Sequence, residues 1–298
     1  YFTVVSSLTA AQNVEAMIAH DNYVNIPLPI SKFDINFPHN AYASLGFMFS
    51  EKTGINFRIA RGYQSIGQSE TGSVILSDYC SNESYAELSV FSPKFRYASN
   101  VTELNPPKGK EDNPDPSYMY LHSLEFRFLE KLTFTLLEGV LVNAPFELRF
   151  LNPLMIMHGY ASWNDYYGNG NNPEKDVVKK EASLLGLNLN YVPCPGVKLY
   201  FLYAMNQFQT AYERKNWPDM PIPNAIALQG GLDLAFPVAK GYFCADLEGV
   251  YATPYMYLME GSDWSYIREY DENIGMNNVR EWVGTPFGPD SISAFLSL

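Results

Sequence analysis

The residues with chemistry to offer fall into two sets. In segments of alternating polarity stand Glu125, Arg127, Asn188, Asn190, Asp233, Asp246 and Glu248. Sharing one face of a sheet, they could line an aqueous lumen, selecting cations or bonding sugar hydroxyls. Equally, they could fill a small barrel with salt bridges. The second set lies where alternation stops: Trp163, Asn164, Tyr166 and Tyr167, then Trp217, then Trp264 and Tyr266. Flat rings take the C–H faces of sugars and the neighbouring amides take hydroxyls, which suits a polysaccharide-binding surface. Ordinary loop packing would use the same residue types.

Catalytic and cofactor chemistry finds less footing. Paired carboxylates could serve a glycosidase, one as acid and one as nucleophile, yet with 32 acidic residues nothing singles out one pair. There is no Gly-x-Ser-x-Gly, phosphate loop or His-Glu-x-x-His. Cys80, Cys194 and Cys244, like His20, His39, His122 and His158, are scattered without ligand spacing. No catalytic residue, metal or cofactor is expected. A net charge of −12 has the wrong sign for nucleic acid, which is set aside as a partner.

The elements that must position these residues read as hairpins. Side chains alternate across a sheet with period two, so a correct turn sets apolar rows opposite each other. Ser183, Leu185, Leu187, Leu189 and Tyr191 form one such row, answered by Val197, Leu199, Phe201, Tyr203 and Met205, with Tyr191 set against Val197. Tyr120, Leu124, Phe126 and Phe128 face Leu132, Phe134, Leu136 and Val140. Leu228, Leu232, Leu234 and Phe236 face Phe243, Ala245, Leu247 and Tyr251. A weaker hairpin pairs Leu45, Phe47 and Phe49 with Ile55, Phe57 and Ile59. A fifth is expected between residues 73–78 and 84–97, turning near 80–83, with 279–283 and 291–298 extending the set.

Turns within hairpins are short, whereas the stretches 100–117, 143–180, 208–224 and 252–277 are long, the arrangement of outer-membrane barrels. Charged residues are only 17% and aromatics reach 15%, a composition suited to a surface partly wetted by something other than water. No apolar run is long enough for a membrane helix, and a mean hydropathy of −0.16 does not exclude strands that are half polar. The expectation is all-β: an antiparallel up-and-down transmembrane β-barrel, a single domain over 1–298. About 12 or more strands are visible, both ends are cut within strands, and 10–41 is irregular, leaving 1–41 poorly assigned. Phe49, Phe128, Tyr191, Phe236 and Tyr251 would form interfacial girdles. A soluble sandwich or barrel shares the same periodicity and remains the alternative.

One pair breaks the apolar pattern. His122 and Glu138 should oppose each other on the lipid side, where charge is costly. A subunit contact, a bulge, or a register that fails near the loop end would each account for them.

Specific segments resemble the Wzi-like capsule-assembly family. These are Phe57-Arg58-Ile59-Ala60-Arg61-Gly62-Tyr63, then Gly67, and Gly72-Ser73-Val74-Ile75-Leu76-Ser77-Asp78. Leu137-Glu138-Gly139-Val140, Phe146-Glu147-Leu148-Arg149-Phe150-Leu151-Asn152-Pro153-Leu154 and Gly284-Thr285-Pro286-Phe287-Gly288-Pro289-Asp290 add to them. The likeness spans roughly 42–290. It implies an outer-membrane barrel, in contact with membrane lipid, that retains capsular polysaccharide without catalysis. A porin-like channel for small polar solutes and a soluble β-rich carbohydrate-active enzyme are the competing functions; oligomeric state stays open.

Overall fold

The computed structural model describes residues 1–6, 9–12, 33–36, 41–77, 83–104, 117–157, 181–216, 218–219, 222–259, 265–272 and 277–298. The strands in chain order begin with β1 (Phe2–Ser6), β2 (Thr9–Gln12), β3 (Phe33–Asn36), β4 (Ala41–Met48), β5 (Gly54–Gly62), β6 (Glu83–Phe91), β7 (Phe95–Leu104) and β8 (Ser117–Leu129). They continue with β9 (Leu132–Asn143), β10 (Glu181–Cys194), β11 (Val197–Gln207), β12 (Ala225–Val238), β13 (Gly241–Ala252), β14 (Ile267–Glu272), β15 (Asn277–Trp282) and β16 (Ser291–Ser297). One antiparallel sheet of 12 strands takes the order β1-β4-β5-β6-β7-β8-β9-β10-β11-β12-β13-β16, and the pairs β2–β3 and β14–β15 stand apart from it. The chain is all-β. A 3-10 helix (Leu148–Leu151) and a helix (Ala211–Asn216) are short, and no helix among the described residues could cross a membrane.

Within the sheet each strand pairs with its predecessor, and the tight turns after β4, β6, β8, β10 and β12 all fall at one end. Long connections fall at the other. Register follows the apolar rows: Leu228 opposes Tyr251, Leu232 opposes Leu247, and Phe236 opposes Phe243. Leu124 opposes Leu136 and Phe126 opposes Phe134, so His122 does stand opposite Glu138. Leu45 opposes Phe57 and Phe47 opposes Ile55.

Four expectations need correction. Tyr191 pairs with Leu199, two residues from the Val197 expected, because a bulge lies between Tyr191 and Cys194 and the chain turns tightly at Pro195-Gly196. A two-residue shift keeps every side chain on its face, so alternation cannot detect it; Gly196, at φ 82°, sets the turn. Residues 84–97 are not one strand: β6 and β7 meet at a turn over 92–94. Residues 73–77 are not in the sheet at all. Val74, Ile75 and Leu76 are a continuous apolar run, buried on every side, where a two-faced strand would alternate. Of the terminal pieces, 291–297 joins the sheet as β16, whereas 279–282 lies in β15, paired with β14.

The displaced segment, residues 63–77, lies against the polar face of the sheet. Thr102 of β7 donates to Gln64 at 2.7 Å, and the Glu70 amide donates to Glu248 of β13 at 2.8 Å. On every strand from β7 to β13 this face is buried with the segment, Leu104, Leu121, Leu137, Leu184, Leu202, Ala227 and Val250 joining Val74, Ile75 and Leu76 in one cluster, whereas large apolar side chains of the opposite face stand exposed. The sheet therefore curls around the segment, making that face concave. Ile75, Leu76, Leu121, Leu184, Leu202 and Val250 pack there into the larger core.

The convex face carries the apolar rows in the open. Leu45, Phe47, Ile59, Leu136, Leu247 and Leu296 are all exposed, and the rows run across the sheet from β1 to β16. One place is covered. Phe150, Met155 and Met157, after β9, pack on Tyr120, Val140 and Val142 of the convex face.

Candidate functional site

Each of Glu125, Arg127, Asn188, Asn190, Asp233, Asp246 and Glu248 projects from the polar, concave row of its strand, opposite to the apolar one. The structure divides them. Glu125 pairs with Arg127 near the tight-turn end, and Asn190 donates to Asn188 at 3.2 Å. Asp233, Asp246 and Glu248 gather on β12 and β13 with groups outside the candidate set: Gln68, Glu70 and Thr71 of the inserted segment, and Lys198 and Tyr200 of β11 and Gln229 of β12, which alternation places on the same polar face.

Glu248 is the centre of this group. Buried at 1% exposure, its carboxylate accepts from the Glu70 amide at 2.8 Å, the Thr71 amide at 3.1 Å, the Thr71 hydroxyl, and the Tyr200 hydroxyl at 2.6 Å. A buried carboxylate met by so many donors is held as an anion and fixes whatever carries them. Gln229 extends the hold: its Oε1 accepts from Val74 N and its Nε2 donates to Gly72 O, both at 3.1 Å. Gln68 donates to Asp233 at 2.8 Å, and Tyr257 donates to Val74 O at 2.7 Å. The segment is thus stitched to β11, β12 and β13 by side chains and not by a strand ladder.

Glycines make room for these contacts. A Cβ on Gly231 would come within 2.1 Å of the Tyr200 ring, so only glycine lets that ring cross from β11 towards Glu248. Gly72, at φ 107°, holds a conformation that residues with a Cβ rarely adopt.

Carboxylate oxygens of Glu70, Asp233 and Asp246 lie within 4.8 Å of one another, the described acidic groups close enough to share one cation. Lys198 stands 3.9 Å from Asp233. Desolvation first, then the charges of Asp246, Asp233 and Glu248, raise the Glu70 carboxyl above its ordinary range.

The aromatic candidates fare differently. Trp163, Asn164, Tyr166, Tyr167, Trp217 and Trp264 lie outside the described residues. Tyr266 is a correction: it is 1% exposed, donates from its hydroxyl to Ala182 O at 2.7 Å, and belongs to the concave core, so it offers no ring to a surface ligand. Its neighbours in sequence, polar and aromatic, gave no sign of this. His122 is also buried. It meets the Tyr97 ring edge-on at 5.8 Å, so the chain itself covers this half of the polar break in the convex face, whereas Glu138 opposite it is half-buried. Alternation does not point to Gln68, Glu70 and Thr71, because a strand expected over residues 73–78 makes them only the connection leading into it. The unbroken run Val74-Ile75-Leu76 was the signal that pointed elsewhere.

No protein-family model matches the chain, and a search of curated proteins returns no significant match.

Proposed function

We propose that the chain is a transmembrane β-barrel of the outer membrane that binds or organises cell-surface, capsular polysaccharide without catalysis. One observation carries the membrane half of this reading: the exposed apolar rows that cross the convex face from β1 to β16. A surface of that extent in water would aggregate; in lipid it is the ordinary wall of a barrel. Strand lengths agree, since β8 to β13 each run 11 to 14 residues, enough to cross the hydrocarbon when tilted. With 12 strands alternating in direction, β1 and β16 run opposite ways, the orientation closure needs. Left unpaired, edges as apolar as Phe2, Val4, Ile292 and Leu296 would invite association.

The polysaccharide half rests on the Wzi-like segments and on the aromatic, amide-rich stretches around Trp163 and Trp217, which lie in sequence between β9 and β10 and between β11 and β12. The stitched segment of residues 63–77 occupies the concave side, which favours a retention role over a wide channel. Pull-down of capsular polymer with Trp163 and Trp217 changed to Ala tests the binding half; retention equal to the parent removes those stretches from the account. Conductance in planar bilayers tests the channel alternative, and a large open-state current would replace retention with transport.

A further inference from the structure

A separate cavity of about 470 Å³ opens on the concave side at the tight-turn end, walled by Ser44, Asn56, Arg58, Glu87, Ser89 and Arg96. We propose that it binds the oxyanion of a small acidic sugar, either a uronate carboxylate or a sugar phosphate.

The polar wall is biased towards donors. Arg96 is occupied by Glu87 at 3.0 Å. Arg58 is not: among the described residues it has no ion-pair partner, and its Nε, shielded from bulk water, has no hydrogen-bond acceptor. A buried donor without a protein partner has to be met by water or an ion from solution. The guanidinium is held in place, stacked over the Tyr42 ring at 5.1 Å. Ser44 donates to Asn56 Oδ1 at 2.7 Å, which leaves Asn56 its amide hydrogens to offer.

Two guanidiniums against one carboxylate give this wall a net charge of +1, within a chain whose total is −12. The general field repels anions, so an anion site needs such a local reversal. A planar guanidinium fork matches carboxylate and phosphate oxygens alike. Among the other lining residues, Ser44 and Ser89 suit sugar hydroxyls and the Phe91 ring a C–H face, with Phe47, Met48 and Ile55 adding apolar wall. The volume fits a small ligand and not a polymer. None of the residues proposed for polymer retention lines this cavity, so it stands or falls independently of that reading.

Calorimetric titration of the detergent-purified full chain with glucuronate, glucose 6-phosphate and glucose at low ionic strength tests the proposal. Saturable binding of one or both acids is expected, with glucose at least tenfold weaker; whichever acid binds names the group. Arg58→Gln should weaken binding tenfold or more, Arg58→Lys less, and Arg214→Gln, on a distant helix, not at all. Gly46→Leu gives an independent arm: a Cβ there meets only Asn56 Oδ1 at 3.7 Å, so the side chain enters the cavity and should abolish binding. Failure of both acids to bind saturably overturns the proposal. So does acid binding that survives Arg58→Gln and Gly46→Leu unchanged, or glucose binding as tight as that of the acids.

Discussion

Glu248 and Glu70 show how the same side chain serves differently by its surroundings. Glu248 is fully engaged, so Glu248→Ala would leave the amides of Glu70 and Thr71 and the Tyr200 hydroxyl without their acceptor, costing about 3 kcal/mol or more. Limited proteolysis should then cut within residues 63–77, where the parent resists. Glu70 is exposed, and its carboxyl is raised above the ordinary range by desolvation and by the three acidic neighbours. A raised value in the folded state means that the protonated form is favoured there: stability is fullest below the unfolded value and declines as pH rises through the folded one. Glu70→Gln removes that decline. The variant should therefore gain on the parent between pH 4 and pH 7 in thermal unfolding, and an equal difference at both pH values would show that Glu70 is not coupled to the group. Gly231→Val tests the room made for Tyr200, and its expected result is the same proteolytic opening of 63–77.

Among elements, the hairpins were legible because a one-residue slip would have turned Lys198 and Asp233 to the apolar side. Their faces, and the opposition of His122 to Glu138, followed from alternation. The two-residue shift between β10 and β11 did not, since it changes the turn and leaves the faces alone. Alternation also makes a prediction about substitution. If the apolar row of β10 faces lipid, as proposed, Leu187→Lys should destabilise the chain by about 2–4 kcal/mol, as for a cation near the middle of a bilayer. Asn190→Lys, on the polar row of the same strand, should cost far less. Unfolding from lipid vesicles measures both, and equal costs would argue that the apolar row does not face lipid.

At the scale of the whole molecule, what matters is the curl. Residues 63–77 bond to both β7 and β13 on the concave face, and the apolar edges at β1 and β16 place the strongest demand for further pairing. If the sheet closes, cysteines introduced along β1 and β16, with Cys80, Cys194 and Cys244 replaced by Ser, should cross-link within one chain. The product should also shift its electrophoretic mobility on heating, as closed barrels do when they unfold. Cross-links formed only between chains would point to an open sheet that associates by its edges.

Sequence alone determined the all-β class, the strand faces, and the placing of tight turns at one end, because period-two polarity and turn length are local properties of the chain. The concave polar row, including Asp233, Asp246 and Glu248, came from the same alternation. Only the tertiary structure decided what meets that row. Residues 63–77 reach it through contacts 155 to 178 positions distant along the chain, and Tyr266 enters the core through a bond to Ala182 on another element. Such contacts depend on how the sheet curls, which no local pattern of residues encodes.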